Sequence, residues 1–351
     1  MALVKKTDLV GLDIGSRTIK VAEIADTQKR PVLKKIGFID IAPGAIEDGA
    51  IKDPESVADS IRKLFKNVGI KNENVAISIG GYSVIVKKIN VQTMSEERLH
   101  ETIHFEVEQY IPFDIGDVNI DFQILGTNEA NSNQMQVLLV AAKKEMINDY
   151  VNLIQTAGLN PCIIDIDAFA LQNVFEANYD VGEENVALID IGASKTSLNI
   201  LKAGSSVFMR DVSLGCGQIN QRIAGLAQCS LAEAEAMKFG TMPDKISQDD
   251  LKDIVVTVVS DWCSEIRRAL DFFYSTYPED QIKKIFLSGG GANIKEFRQL
   301  LAVETSAEVE TINPFAKLRA ESGKYDASYL QRIAPQAAIC MGLAMRRVDD
   351  K

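Results

Sequence analysis

The sequence predicts an α/β protein of two related lobes with a smaller subdomain inserted into the first, and three observations predict it. An apolar strand ending in Asp-Ile-Gly and returning as a second strand occurs twice, in "DLVGLDIGSRTIKVAEIAD" and in "NVALIDIGASKTSLNILKAG". The separation of the two copies is too long for a solenoid repeat and suits two lobes built on one plan. Between them, from Tyr82 to Leu159, the pattern changes to strand, helix, strand, strand and helix, which reads as a compact insertion. Near the end, "KKIFLSGGGANIKEFRQLLAVE" is a buried strand, a glycine turn and a helix.

The elements follow in order. Leu9 to Ile14 is an apolar run that meets Gly15-Ser16, and alternation resumes at Ile19, Val21 and Ile24, giving two strands around a tight turn. "VLKKIGFIDIA" is a third strand. In "PESVADSIRKLFKNV" Val57, Ile61, Leu64, Phe65 and Val68 recur at helical spacing, and "NVAISIGG" is a further buried strand. The insertion opens with the strand "SVIVKKINV". A helix follows, read as capped by a Thr93-x-x-Glu96 box and as running to about Tyr110, where Pro112 forces its end. "VNIDFQILG" and "MQVLLVAAKK" are strands around the polar turn "TNEANSN", and "KEMINDYVNLIQTAG" is a helix with Gly158 at its C-cap. After the second Asp-Ile-Gly hairpin come three helices, "CGQINQRIAGLAQ", "SLAEAEAMKFG" and "DDLKDIVVTVVSDWCSEIRRALDFFYSTY". "APQAAICMGLAMRR" is a closing helix.

Composition excludes several classes. At 351 residues, with 46% hydrophobic and 25% charged residues, the chain has the balance of an ordinary globular protein of two domain-sized lobes. Its 49 acidic against 38 basic residues, a net charge of -11, repel phosphate backbones and argue against a nucleic-acid partner or anionic lipid. No stretch is long and apolar enough to span a bilayer, and "MALVKKTDLVGLDIGS" lacks a signal-peptide core. The five cysteines are scattered and never in a C-x-x-C pair, as in a reduced, cytoplasmic chain.

Each Asp-Ile-Gly hairpin has a chemical logic. A strand delivers Asp13 or Asp190 to a cleft, and the following glycine lets backbone amides approach a phosphate. The hydroxyls of Ser16, Ser194 and Thr196 add donors, and Lys20 on the return strand can meet phosphate charge. Two carboxylates from opposite lobes would hold a hydrated magnesium ion. One such hairpin alone carries little information; two, with Gly289-Gly290-Gly291 leaving room for a flat ring or a phosphate, carry more.

A second motif competes for attention. His100, Glu101 and His104, the chain's two histidines with a glutamate between, spell the H-E-x-x-H of zinc proteases. That site needs a third protein ligand, and no other histidine exists to supply it. The helix carries its apolar stripe on Leu99, Ile103, Val107 and Tyr110, which leaves both histidines on its polar shoulder. The motif reads as a coincidence.

The order of phosphate hairpin, second phosphate hairpin, helical insertion and GGG loop resembles the actin, Hsp70 and sugar-kinase superfamily. Within it, "GSRTIKVAEI", "EVEQYIPFDIGDVNIDFQIL" and "EIRRALDFF" resemble the PilM family of actin-like type IV pilus assembly proteins, over essentially the whole chain. The resemblance implies an actin-like, ribonuclease H-like fold with a nucleotide cleft and an inserted subdomain, 1C, of the kind found in the cell-division protein FtsA. It divides the chain into 1A (1–81, completed by about 160–184 and 326–351), 1C (82–159), 2A (185–214 and 260–325) and 2B (215–259).

It also implies ATP or ADP with Mg2+. Asp13, Gly15, Ser16, Arg17 and Lys20 match the first phosphate motif, and Asp190, Gly192, Ala193, Ser194, Lys195 and Thr196 the second. Gly215 and Gly217 match the glycines that back the phosphates, Glu235 and Lys238 the pair that flanks ribose and adenine, and Gly289, Gly290, Gly291 and Ala292 the adenosine loop. Without that context, Glu235 and Lys238 read as a solvated salt bridge on one helix face. Asp167 falls where active relatives place the Glu or Gln that positions the attacking water. Aspartate is one methylene shorter than glutamate, so hydrolysis is expected to be slow or absent. The partner implied is the cytoplasmic N-terminal tail of PilN, docked between 1A and 1C in an apolar groove with polar edges. Such a protein would be cytoplasmic and recruited to the inner membrane through that partner, with other platform proteins and self-association open. Two alternatives belong to the same superfamily: a kinase or ATPase, which lacks a visible sugar-binding insert, and an FtsA-like polymer-forming membrane adaptor. The latter calls for an amphipathic helix after the last lobe, and "MGLAMRRVDDK" does not supply one.

Overall fold

The computed structural model describes residues 8–25, 31–128, 131–240, 245–320 and 324–348. The extreme ends of the chain, and with them the expectations placed on the N-terminal segment and the last acidic residues, lie outside the described residues. So does the middle of the "TNEANSN" turn.

The first lobe opens with β1 (Val10–Ile14), β2 (Thr18–Ala25) and β3 (Val32–Asp40), an antiparallel meander. A small hairpin, β4 (Ile46–Glu47) and β5 (Ala50–Ile51), precedes α1 (Pro54–Val68). Helix α1 starts where Asp53 accepts the Ser56 N–H, with Pro54 in the first turn, and it buries Val57, Ala58, Ile61, Leu64 and Phe65. Strand β6 (Asn74–Ile79) then pairs parallel to β1.

The insertion consists of β7 (Val84–Gln92), α2 (Glu96–Val107), β8 (Val118–Thr127) and β9 (Gln134–Lys143), with β9 central in an antiparallel sheet of order β7-β9-β8. The cap of α2 is Ser95, not Thr93: its hydroxyl accepts the Arg98 N–H, whereas Thr93 pairs with Asn133 in the loop below. Helix α2 covers one face of the sheet through Leu99, Ile103 and Val107.

Helix α3 (Lys144–Thr156) lies in the first lobe rather than in the insertion. Tyr150, Leu153 and Ile154 are buried with α1 and β6, and the Tyr150 hydroxyl donates to the Gly49 carbonyl at 3.2 Å. Gly158 takes the left-handed conformation just past it, φ 83°. The insertion with its own core therefore ends near Lys143. Next come β10 (Asn160–Ile166), parallel to β6, and α4 (Asp167–Asn178).

The second lobe repeats the plan. β11 (Val186–Ile191), β12 (Thr196–Lys202) and β13 (Ser205–Val212) form an antiparallel meander. Helices α5 (Gly217–Ala227), α6 (Leu231–Lys238) and α7 (Gln248–Thr276) follow. Then come β14 (Lys284–Ser288), α8 (Lys295–Thr305) and β15 (Glu308–Thr311). The sheet orders β3-β2-β1-β6-β10 and β13-β12-β11-β14-β15 superpose: in each, three antiparallel strands are extended by two parallel ones. Helix α7 runs unbroken across the expected boundary between residues 259 and 260. Its Val259, Trp262, Ile266 and Phe273 share one core with α5, α6 and α8, so these helices are built on a single cluster.

The chain returns to the first lobe earlier than expected, as β16 (Arg319–Ala320) pairs parallel to β3. Helices α9 (Ala327–Ile333) and α10 (Ala338–Ala344) close it. All seven residues of α10 are buried. A Cβ on Gly342 would stand 1.8 Å from the Ala170 carbonyl oxygen, so the crossing of α10 and α4 requires glycine there. The two lobes share apolar contact: Phe175 and Tyr179 of the first lobe meet Phe286 of the second, with ring centroids 4.8 and 4.9 Å apart. This shared floor leaves the two Asp-Ile-Gly turns facing each other above it. Among the described residues no helix is long and apolar enough to cross a membrane.

Candidate nucleotide site

In each lobe the site begins with strand register. Antiparallel pairing of β1 with β2 sets Asp13 directly opposite Lys20, and opposed residues share a face of the sheet. The Lys20 ammonium donates to the Asp13 carboxylate at 3.0 Å. Burial pushes the Asp13 carboxyl above its ordinary value, with Lys20 pulling the other way. In the second lobe the Ser288 hydroxyl on β14 donates to Asp190 at 2.7 Å. Burial raises Asp190 to about 6, the neighbouring charges of Asp13 and Asp167 adding to the rise.

The two turns touch. The hydroxyls of Ser16 and Ser194 lie 3.0 Å apart across the cleft. Beside them the Arg17 guanidinium reaches from the first lobe to Glu235 on α6, with Nε at 2.9 Å and Nη2 at 2.5 Å from one carboxylate oxygen, while Nη1 donates to the Ile41 carbonyl. Glu235 thus pairs across the cleft with Arg17 and not along its own helix. Lys238 stands over the Phe239 ring, 5.1 Å from its centroid.

A cavity of about 310 Å³ opens between these groups, walled by Ser16, Arg17, Ala193, Ser194, Gly217, Leu231 and Glu235 and, around β4, by Pro43, Ile46, Glu47 and Asp48. Asn220 and Gln221, on α5, also line it. The Asn220 side-chain oxygen is buried there with no hydrogen-bond partner, an unmet acceptor beside the cavity.

Asp167 begins α4 on the first-lobe side. Its carboxylate accepts the Ser78 hydroxyl at 2.6 Å and the Lys195 ammonium at 2.7 Å. Burial would raise it, but Lys195 and Ser78 outweigh that and hold it below the usual carboxylate range. A carboxylate so held is a weak proton acceptor. Lys195, opposed by burial but surrounded by Asp167 and Asp211 (3.6 Å), is held above its ordinary value.

The glycines also have a packing task. A Cβ on Gly289, whose φ is 81°, would fall 2.3 Å from the Ile191 carbonyl oxygen, and one on Gly291 would fall 2.4 Å from the Ile191 side chain. A Cβ on Gly215 would meet the Ala193 carbonyl oxygen at 2.5 Å. The space their missing side chains leave is filled by the second turn itself, so these glycines let three loops pack into one cradle. A Cβ on Gly290 would meet only the Gln336 side-chain nitrogen, at an ordinary 3.5 Å, and Ala292 is buried in the lobe core.

Asp13 and Asp190 offer carboxylate oxygens from opposite lobes, the donor chemistry magnesium prefers, and the charge of Asp167 acts on both. The residues present fit a nucleotide's charge: hydroxyls, two ammonium groups and backbone turns for phosphate, and an unmet polar acceptor in the cavity beside them. Asn220, Asp211, Ser78 and Ser288 escape sequence reading. Each is a single polar residue on an otherwise ordinary strand or helix, and only sheet order brings it to the cleft.

H-E-x-x-H has no such convergence. His100 and His104 are exposed, and the His100 ring packs on Phe122, centroids 4.6 Å apart. Among the described residues no group of three or more His, Cys, Asp or Glu side chains gathers to hold a metal directly. All five cysteines are free thiols.

A family model described as "Type IV pilus assembly protein PilM" matches residues 11–348. The chain is similar to a protein solved in the "PilM-PilN type IV pilus biogenesis complex". That match has 26% identity and a TM-score of 0.87, and covers 98% of this chain and 100% of that one. It is also similar to MreB 5 of Spiroplasma citri, solved bound to AMPPNP, at 13% identity and TM-score 0.51, covering 96% and 94% of the two chains. In sequence it is 23% identical over 275 residues to cell division protein FtsA of Bacillus subtilis (strain 168). That match takes in 70% of this chain and spans 61% of that relative's length. With the duplicated sheets, these likenesses place the chain in the two-lobed actin-like fold.

Proposed function

The chain belongs to the PilM family of type IV pilus assembly proteins, and from that premise we propose that it is an ATP-binding scaffold whose inserted subdomain docks the cytoplasmic tail of PilN. The observation that carries the nucleotide half is the meeting of the two Asp-Ile-Gly turns, Ser16 to Ser194 at 3.0 Å, with Asp13 and Asp190 behind them. Backbone amides of Gly15–Arg17 and of Ala193 and Ser194 would cradle the phosphates, and Lys20 and Lys195 would neutralise them. Magnesium, held through water by Asp13 and Asp190, would supply charge for the phosphates. Arg17 and Glu235 close the cleft over the nucleoside, and Glu235, Lys238, Asn220 and the Gly289–Ala292 loop flank it.

Hydrolysis is weak or absent in this reading. The one carboxylate placed to orient a water, Asp167, is engaged by Lys195 and Ser78 and kept a poor base.

The docking half rests on the insertion's second face. Side chains alternate along a strand, so the residues pointing away from α2 form a separate surface. There Val86 pairs with Val140, and Leu138 follows on the same strand; none of the three joins the four core clusters. Lys88, Asp121 and Gln123 border them through the same register. An apolar strip with polar edges suits a short amphipathic segment. The relative solved with PilN supports that segment being the PilN tail. The protein would then sit on the cytoplasmic face of the inner membrane through its partner, with contacts to other platform proteins or further copies of itself possible through the remaining surface.

The test is calorimetric titration of the protein with a PilN-tail peptide, with and without Mg-ATP. Micromolar binding that changes with nucleotide supports the reading. Nucleotide binding without peptide binding refutes the docking half, and unchanged Mg-ATP affinity in Asp190→Ala refutes the placement of the site. The FtsA likeness favours one second reading, a polymer-forming adaptor, which sedimentation with Mg-ATP would reveal as a pelleted filament.

A further inference from the structure

One group in the cleft is tied to more than the cleft. Lys195 stands in the second-lobe turn next to Ser194, yet its ammonium reaches Asp167 of the first lobe at 2.7 Å and Asp211 of β13 at 3.6 Å. Asp211 in turn accepts the backbone N–H of Gly81 at 2.6 Å. Gly81 is the start of the crossing from β6 into β7, the first strand of the insertion. Its φ is 88°, and it closes the turn that launches β7 by accepting the Val84 N–H at 3.0 Å. A second contact of the same kind, Tyr82 hydroxyl to Ser213 hydroxyl at 3.1 Å, lies beside it. The residue before, Gly80, has no side chain where the Lys195 ammonium sits: a Cβ there would fall 2.3 Å from the nitrogen and 2.5 Å from the Asp167 carboxylate. The first lobe therefore leaves a slot that the second lobe's lysine fills, and the base of the insertion is fastened to the second lobe beside it.

We infer that Lys195 and Asp211 are positioning residues that couple the charge in the cleft to the orientation of the inserted subdomain. The inference rests on the nucleotide-site reading above. A phosphate seated on the Ser194 turn lies within reach of the next side chain, and a flexible ammonium moves to the stronger anion. Asp211 then loses the cation that balances it and faces the phosphate's negative charge, so its hold on Gly81 weakens. Val86 of the docking strip is five residues further along the chain. Nucleotide and partner thus act on the same end of one strand, and by reciprocity a partner that fixes β7 changes nucleotide affinity by the same factor.

The experiment is hydrogen exchange on the full-length protein, followed in the peptide that covers Gly81 to Val86. Lys195→Met removes the cation without touching Asp211 or Gly81. In the absence of nucleotide it is expected to raise exchange in this peptide roughly tenfold, as Asp211 without its balancing cation holds the Gly81 N–H less firmly. Lys195→Arg keeps a cation and stays at the wild-type rate. Wild-type protein saturated with Mg-ATP moves toward the Lys195→Met rate. Exchange at 81–86 that does not respond to Lys195→Met, or that stays unchanged in wild type when calorimetry shows the site filled with Mg-ATP, overturns the coupling. Absence of Mg-ATP binding in the wild type instead overturns the nucleotide reading, while the lysine variants still report whether the Asp211 clamp exists. Gly80→Ala, which pushes the ammonium out of its slot with every charge retained, is expected to behave as Lys195→Met does; wild-type exchange in that variant counts against the clamp.

Discussion

Asp190 gives the sharpest quantitative test, because burial makes its charge costly. Its carboxyl titrates at about 6 in the folded protein against an ordinary 3.8, chiefly through burial. A group whose folded pKa is raised contributes stability that is complete below the unfolded value and lost as pH rises through the folded one. Between pH 3.8 and 6 the folded protein holds a proton that the unfolded chain has released, and above 6 the buried charge is carried at a loss. The difference of two units corresponds to about 3 kcal/mol, an upper figure because the carboxylate is only half-buried and water still reaches it. Asp190→Asn keeps an acceptor for the Ser288 hydroxyl and removes the charge. In metal-free buffer it should therefore stabilise the second lobe by about 1–3 kcal/mol at pH 7.5 and by almost nothing at pH 4. The assay is urea unfolding followed by the fluorescence of Trp262, the sole tryptophan, which is fully buried in that lobe. A variant no more stable than wild type at pH 7.5, or one whose gain is the same at both pH values, would refute the argument. Mg-ATP should cancel the gain by binding wild type alone, and its affinity for wild type should fall as pH drops below about 6.

Other outcomes follow from the packing and the surface. Val140→Glu, on the outward face of the inserted sheet, should abolish peptide binding in calorimetry and leave circular dichroism unchanged; retained binding would move the docking site elsewhere. Gly342→Ala forces a methyl group onto the Ala170 carbonyl and should cost roughly 2–4 kcal/mol, read as a lowered melting temperature. Replacing both His100 and His104 by alanine should change stability by less than about 1 kcal/mol and leave the metal content of the purified protein as it was, since both are exposed. Retained zinc that disappears in this double variant would restore the metalloprotease reading.

The duplicated architecture was legible because it is written in local pattern. Strand–turn–strand with Asp-Ile-Gly, apolar alternation and helical spacing are properties of neighbouring residues, and backbone sterics convert them into the same hairpin wherever they occur. That is why Asp13 opposite Lys20, Asp190 at the mouth of β11 and the long helix through Trp262 stand where their spacing puts them. Local pattern fails where the deciding neighbour is distant. Ser95 rather than Thr93 caps α2, because the Thr93 hydroxyl turns to the Ser132 carbonyl across the loop at 3.5 Å. Helix α3 joins the first lobe because its Tyr150 face meets α1 and β6, and periodicity alone does not say which apolar surface a helix will cover.

The site divides in the same way. Sequence by itself picked out the side chains proposed to meet phosphate and magnesium, since each of two matched turns groups them within a few residues. Tertiary structure alone decided their partners. Arg17 found Glu235 instead of solvent, Lys195 found Asp167 and Asp211, and the glycines of the third loop were consumed in packing against Ile191. The physical reason is range: a turn is fixed by the dihedrals of a few consecutive residues, whereas an ion pair across a cleft depends on where two lobes come to rest, which is set by shared apolar contact at Phe175, Tyr179 and Phe286 far from either charge.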